Sequence, residues 1–318
     1  MKVYIKTPAR LHLGLIDLNG DLGRMFGGLG VAINNPNTII HAQTSSGLSV
    51  TGKETKLATV CVNRFFQTYP VKSNVHLHIE QAIPAHTGLV SGTQFALAIA
   101  TALAKITGIQ ASISELSLAM GRAQRTGIGT AIFQSGGFIV DGGKKTTNNP
   151  VGIPPVIYHK SFPCDWRFII VLPNVQKGLY SDAEKTAFNI LPPMKAEEVA
   201  KICRLTLLKL LPAIEEKDIK SFGEALTSIQ IVTGNYFAHI QGGTYSNPIV
   251  ADTLAFFKTL GVYGFGQSSW GPAVYGIVKQ TETKELLKKV KHYLAKNGGG
   301  DVFVAKANNK GANIKITT

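Results

Sequence analysis

The chain is poor in cysteine, in acid and in long apolar runs. Its 318 residues hold three cysteines. Cys61, Cys164 and Cys203 stand far apart and form no CxxC or Cys/His pair, which excludes a disulfide framework and a structural zinc motif and favours a reducing compartment. The longest apolar run, Phe95 to Ala104, is too short to span a bilayer and is interrupted by Thr101. The opening MKVYIKTPAR carries an early charge at Lys6 and does not read as a signal peptide. A soluble, cytoplasmic protein is the expectation.

Acid is scarce relative to base. Nineteen acidic residues face 33 basic ones, a formal charge of +14, which suits nucleic acid, a membrane surface or a polyanionic small substrate. Nine lysines fall in the last forty positions, several on a predicted surface helix from Glu282 to Lys296, where Glu285 and Lys289 stand at i,i+4. That spacing reads as a solvated face. The basic residues form no aromatic-interleaved stripe, and no helix-turn-helix or RNA-binding signature accompanies them. The expectation is therefore no nucleic acid and no membrane. A hydrophobic content of 44% with 16% charged residues is that of a compact chain, long enough for two modest domains.

Strands are predicted at Val3–Ile5, Leu11–Leu13, Val75–Ile79 and Phe138–Val140, with a glycine-punctuated loop over 14–30. Helices are predicted over 57–69, 94–106 and 114–125, the last with Ser114 as N-cap. The Lys/Thr/Asn/Pro-rich segment 144–155 is the predicted boundary, dividing the chain into 1–150 and 151–318. Beyond it come a strand at 168–172, helices near 195–211, 218–233 and 248–260, and strands near 262–266 and 273–278. The basic helix and two short strands follow. This order lacks a βαβ rhythm and points to an α+β fold in two lobes. His76 and His78 share the solvent face of their strand, with no further metal ligands nearby.

The segment Ile83–Gln94 is a Gly/Ser/Thr loop opening onto an alanine-rich apolar helix. Free N–H groups and the positive end of the helix dipole meet there, a place suited to phosphate. The alternative is a turn shaped by Gly88 and Gly92 with Thr93 as a cap. Arg10 and Arg24, each beside a turn, read either as phosphate or carboxylate forks or as surface ion pairs. Arg125, ending a helix before Thr126-Gly127, reads the same way. Asp17 reads as a site carboxylate or as a turn cap before Asn19-Gly20. His12 reads as a substrate contact or a core-edge histidine.

Three segments together resemble the GHMP kinase superfamily: Pro8–Asp17, the Pro84–Gln94 loop, and Gly264–Pro272. The resemblance implies an N-terminal α+β lobe, a ferredoxin-like C-terminal lobe and a site between them. The kinase loop core G-L-G-S-S reads Gly88-Leu89-Val90-Ser91-Gly92 here, and Gly129 stands where many of these kinases keep an aspartate. A glycine cannot deprotonate a substrate hydroxyl.

Those departures are similar to a narrower family, the β-ribofuranosylaminobenzene 5′-phosphate synthases of methanopterin biosynthesis. The matching residues are Ala9–Gly20, Gly23–Ile33, Gly88–Gln94, Gly127–Ala131 and Gly136–Gly143. This resemblance implies transfer from phosphoribosyl pyrophosphate (PRPP) to the ring carbon of 4-hydroxybenzoate or 4-aminobenzoate, releasing CO2 and pyrophosphate. It also implies Mg²⁺ on the pyrophosphate. Under it, Gly88, Ser91, Gly92, Thr93 and Gln94 would hold the donor, with Gly266 and Ser268 from the C-terminal motif. Arg10, His12, Arg24 and Arg125 would contact anionic groups. Asp17 would stabilise the ribose cation or hold the metal. The partners expected are the two small substrates, with a homodimer as the one protein partner considered. An ATP-dependent kinase of the superfamily is the alternative.

Overall fold

The computed structural model describes residues 1–72, 74–147, 152–175 and 181–317, except the side chains of 181–183 and 185. An antiparallel pair of long strands, β1 (Lys2–Asp17) and β2 (Arg24–Thr44), forms the spine. Bulges between Thr7 and Ala9 and between His12 and Gly14 bend β1. The segment predicted as a loop over 14–30 is therefore strand at both ends, joined by a turn at 18–23. Its glycines serve close packing: a Cβ on Gly28 or Gly30 would come within 2.5 or 2.6 Å of Ile128.

On one side of the spine β4 (Val75–Gln81) pairs with β2, and β3 (Ser49–Gly52) runs parallel to β4. Helix α1 (Thr55–Thr68) and helix α2 (Ser91–Thr107) cover this half of the sheet. From Gln94 to Ala104 every residue of α2 is buried, so it is apolar all round rather than amphipathic. Helix α3 (Ile113–Ala119) is shorter than predicted and is capped by Ser112 rather than Ser114; the Ser112–Glu115 capping box stops Ser114 from serving. Helix α4 (Ile128–Ser135) leads into β5 (Phe138–Asp141), and β6 (Lys144–Lys145) pairs with the start of β2.

Strand β7 (Val156–Lys160) pairs with β5, after which the chain crosses to a second sheet through β8 (Trp166–Pro173). Helices α5 (Ser181–Ile190), α6 (Ala196–Leu205), a π-turn at 206–210, α7 (Leu211–Glu216) and the long α8 (Ile219–Gln241) follow. Then come α9 (Pro248–Thr259), β9 (Gly264–Gln267), β10 (Val274–Lys279), α10 (Thr283–Lys296) and β11 (Gly300–Ala305). The second sheet is antiparallel with order β11-β8-β10-β9, the arrangement of a ferredoxin-like lobe. The last strand, β12 (Asn313–Thr317), returns to pair with β1.

The division at residue 150 does not follow the sheets. Both β7 and β12 belong to the first sheet, because β5 and β1 would otherwise expose unpaired edges. Within the predicted boundary segment, residues 148–151 lie outside the described residues. One apolar cluster joins the lobes, with Leu11 and Leu13 of β1 packed in the same core as Phe222 and Ile229 of α8. The site lies above that shared core. No helix among the described residues is long and apolar enough to cross a membrane.

Candidate active site

The loop before α2 is held by its carbonyls. Thr87 O accepts from Ala273 N (2.8 Å), Gly88 O from the Ser268 hydroxyl (2.7 Å), and Leu89 O from Arg10 N (3.4 Å). Gly88 needs its positive φ of 88° and its lack of a side chain, since a Cβ would lie 2.5 Å from Ser268 O. Val90 then takes φ 45°, a strained value for a β-branched residue, and no side chain caps the helix that begins at Ser91. The uncapped N–H groups of Ser91, Gly92 and Thr93 remain as donors.

A cleft of about 320 Å³ opens in front of them, lined by Val90 and Thr93 of the loop. Three guanidinium groups, Arg10, Arg122 and Arg125, share its wall with Glu184, its only carboxylate among the described residues. Arg10 is 6% exposed and its Nε has no hydrogen-bond partner. Burial pushes its pKa down to about 10, against the through-space pull of Asp141 and Glu184, so it remains a cation at neutral pH. A buried cation without a bonded counter-ion costs several kcal/mol, which an anionic ligand would offset. His12, beside it, is pushed down to about 3 by burial and by the Arg10 charge, so its imidazole is neutral.

Arg122 comes from the turn after α3. Its Nη1 lies 3.4 Å from where a Cβ on Gly92 would sit, so the guanidinium rests on the first turn of α2. Cys61 of α1 lies close behind it, and the Arg122 Nε is buried without a partner. Arg125 bonds Glu184 Oε1 at 2.9 Å and stacks on Phe188, 4.3 Å from the ring centroid. Trp270 Nε1 donates to the same oxygen at 3.2 Å. Phe188, Phe237 and Trp270 form a mutual edge-to-face cluster on this wall, with centroids 4.7–6.0 Å apart. Thr233, also in the lining, keeps a buried hydroxyl without a partner.

Arg10, His12, Thr93 and Arg125 thus meet at one cleft, with Ser91 and Gly92 at the adjoining helix start. Arg125 lies in the α3–α4 loop rather than at a helix end, because α3 stops at Ala119. Other expected contacts are placed elsewhere. Arg24 gives Nε and Nη2 to the carbonyls of Gly142 and Gly143, both at 2.7 Å, outside the cleft lining. Asp17 also lies outside it, where its Oδ1 accepts Asn19 N (2.7 Å) and Gly20 N (2.8 Å) and closes the turn. Gln94 is fully buried and donates to Gly129 O at 2.7 Å. Ser268 is fully buried and accepts His12 N at 2.9 Å while donating to Gly88 O. Gly266 makes room for Gln230, whose side chain a Cβ would meet at 2.6 Å. These residues shape the site from behind; Gln267 and Ser269, their neighbours, face it.

Sequence reasoning missed Arg122, Glu184 and the aromatic wall, which four separate segments contribute. It also missed Asp141, fully buried beneath the cleft. Burial pushes that carboxyl up to about 6, against the amides of Gly143 and Gly127 (both 2.9 Å), Arg10 and the Ile128 amide. Gly129 faces Thr93: a Cβ there would lie 2.9–3.1 Å from the Thr93 side chain. A kinase-type aspartate at this position would displace that residue.

Residues 56–137 match the GHMP kinases N terminal domain and residues 210–299 the GHMP kinases C terminal domain. The homoserine kinase of Cytophaga hutchinsonii superposes with a TM-score of 0.68 at 17% identity, over 99% of this chain and 97% of that one. The mevalonate diphosphate decarboxylase of Enterococcus faecalis gives 0.70 at 15% identity, over 100% and 99%. These likenesses establish the fold. The beta-ribofuranosylphenol 5′-phosphate synthase of Methanothermobacter thermautotrophicus is 32% identical over 98% of each chain, and that of Archaeoglobus fulgidus 31% identical over 98% of this chain and 99% of the other. A GHMP kinase fold that carries this sequence kinship from end to end belongs to the beta-ribofuranosylphenol 5′-phosphate synthase family.

Proposed function

We propose that the chain transfers the phosphoribosyl group of PRPP to the carboxyl-bearing ring carbon of 4-hydroxybenzoate. Pyrophosphate leaves the anomeric carbon as the new carbon–carbon bond forms, and CO2 then leaves the ring. The relatives' printed names specify the phenol product, which favours the hydroxy over the amino acceptor. The observation that carries the reading is Arg10, a buried cation with an unpartnered Nε on the wall of a cleft that also holds Arg122 and the uncapped start of α2. Such fixed donors suit a diphosphate leaving group. The Phe188–Phe237–Trp270 wall suits a flat aromatic acceptor.

Positive charge builds on the ribose as pyrophosphate departs. Glu184, rather than Asp17, is the carboxylate at the cleft wall able to face it. The ring carbon loses CO2 and not a proton, so the reaction needs no strong base, and a His12 held neutral is compatible with that. Mg²⁺ would be held chiefly by the donor's own phosphates, where it would neutralise the leaving charge. The chain offers it hydroxyls at the start of α2; Glu184 is engaged by Arg125 and Trp270, and no cluster of three His, Cys, Asp or Glu suits a metal among the described residues.

The test is release of labelled CO2 from carboxyl-labelled 4-hydroxybenzoate, with pyrophosphate measured in parallel. Both should form in equal amounts from PRPP without ATP. Formation of ADP on mevalonate, homoserine or another small alcohol, with no CO2 release, would instead establish the kinase reading.

A further inference from the structure

A second cavity, of about 780 Å³, lies where the chain crosses between the two sheets, and it shares no lining residue with the cleft. One crossing (161–165) carries β7 into β8, and the other (306–312) carries β11 back to β12. Asn309 staples the crossings together: its Oδ1 accepts Phe162 N at 2.9 Å and its Nδ2 donates to Phe162 O at 3.0 Å. The cavity is therefore bounded by fixed backbone.

Its charge is one-sided. Lys6, Arg167, Lys306 and Lys310 line it, with no carboxylate among its described lining residues. Arg167 spends its donors on neutral acceptors, the carbonyls of Cys164 (2.6 Å) and Trp166 (2.9 Å) and the side chain of Gln280, so its charge is positioned but not neutralised. Thr7, also in the lining, is fully buried, and its hydroxyl has no partner. Asn34 and Asn313 belong to the same lining. Four cations gathered in a concave site repel one another, and a compact anion relieves that repulsion. The volume is that of a metabolite site rather than of a flat docking face.

We propose that this crossing cavity is a second binding site, separate from the cleft, for a small phosphorylated anion. The proposal is independent of the transfer reaction assigned to the cleft.

Calorimetric titration of the full chain with inorganic tripolyphosphate tests it. Lys306 and Lys310 are exposed, so Lys306→Gln/Lys310→Gln should fold normally, which circular dichroism would check. The double variant should lose one equivalent of binding present in the wild type, or bind it roughly tenfold or more weakly, the scale of one or two charge-assisted contacts. Arg122→Ala, a cleft variant, should retain that equivalent. Identical isotherms for wild type and double variant, no binding to the wild type, or loss of all binding in Arg122→Ala would each overturn the proposal. So would a short single-stranded oligonucleotide that binds through Lys306 and Lys310 when tripolyphosphate does not, since the face would then serve nucleic acid.

Discussion

At the scale of single residues, the cleft is governed by groups held away from their ordinary charge balance. His12 and Asp141 make the effect measurable as stability. With a folded-state pKa of about 3, His12 refuses a proton that the unfolded chain accepts below the usual 6.5. Its contribution is full above that value and is lost as pH falls. Asp141, at about 6, keeps a proton that the unfolded chain has released, so its contribution falls as pH rises from about 4 to 6 and is level above. The imidazole shift is the larger and wins. Between pH 7 and pH 4, the stability gap between wild type and His12→Gln should move against the wild type by roughly 3 kcal/mol. The gap to Asp141→Asn should move in the wild type's favour over pH 6 to 4. Urea unfolding at several pH values gives both curves, and gaps independent of pH would contradict these environments. Gly129 belongs at this scale too: with Thr93 2.9–3.1 Å from the place of its missing Cβ, a base aspartate cannot be restored there by one substitution without moving a cleft residue.

At the scale of elements, Ser268 ties three segments distant in sequence into one frame. Its hydroxyl joins the His12 amide of β1 to the Gly88 carbonyl of the loop before α2. Ser268→Ala leaves both groups short of a partner and should cost roughly 1–3 kcal/mol. Because the loop sets the start of α2, the KM for PRPP should rise more than the KM for the acceptor. Thermal unfolding and two-substrate kinetics check this; equal effects on both constants would mean that the loop supports the fold alone. The loop and α2 were legible in the sequence because an apolar helix behind a Gly/Ser/Thr turn is a local pattern, and so was the order of lobes. Pro8 at a bulge gives β1 the sequence pattern of two pieces, and Gly28 and Gly30, small to admit Ile128, give the start of β2 the pattern of a loop. Glu184, Phe188, Phe237 and Trp270 carry no local signal, since only the packing of α5, α8 and the β9–β10 loop brings them together. Asp17 and Asn19-Gly20 form a local signal with two meanings, and backbone hydrogen bonding decided between them.

At the scale of the whole molecule, the first sheet is built from both ends of the chain, and the lobes share a core. A fragment ending at residue 150 lacks β7 and β12 and uncovers Leu11, Leu13 and Phe138, which pack with Phe168 and Phe222 of the other lobe. It should therefore show no cooperative thermal transition, whereas the full chain should unfold in one. A sharp transition in the fragment would show that the lobes are autonomous. The pairing of Ile5 with Ile314 also bears on synthesis. During translation β1 emerges first, and its partner β12 follows some three hundred residues later. At roughly 5–20 residues per second, that edge stays open for about 15–60 s on the ribosome. For that interval residues 2–6 of β1 have β2 on one side and an open edge on the other, where a foreign strand could pair in the place that β12 later takes.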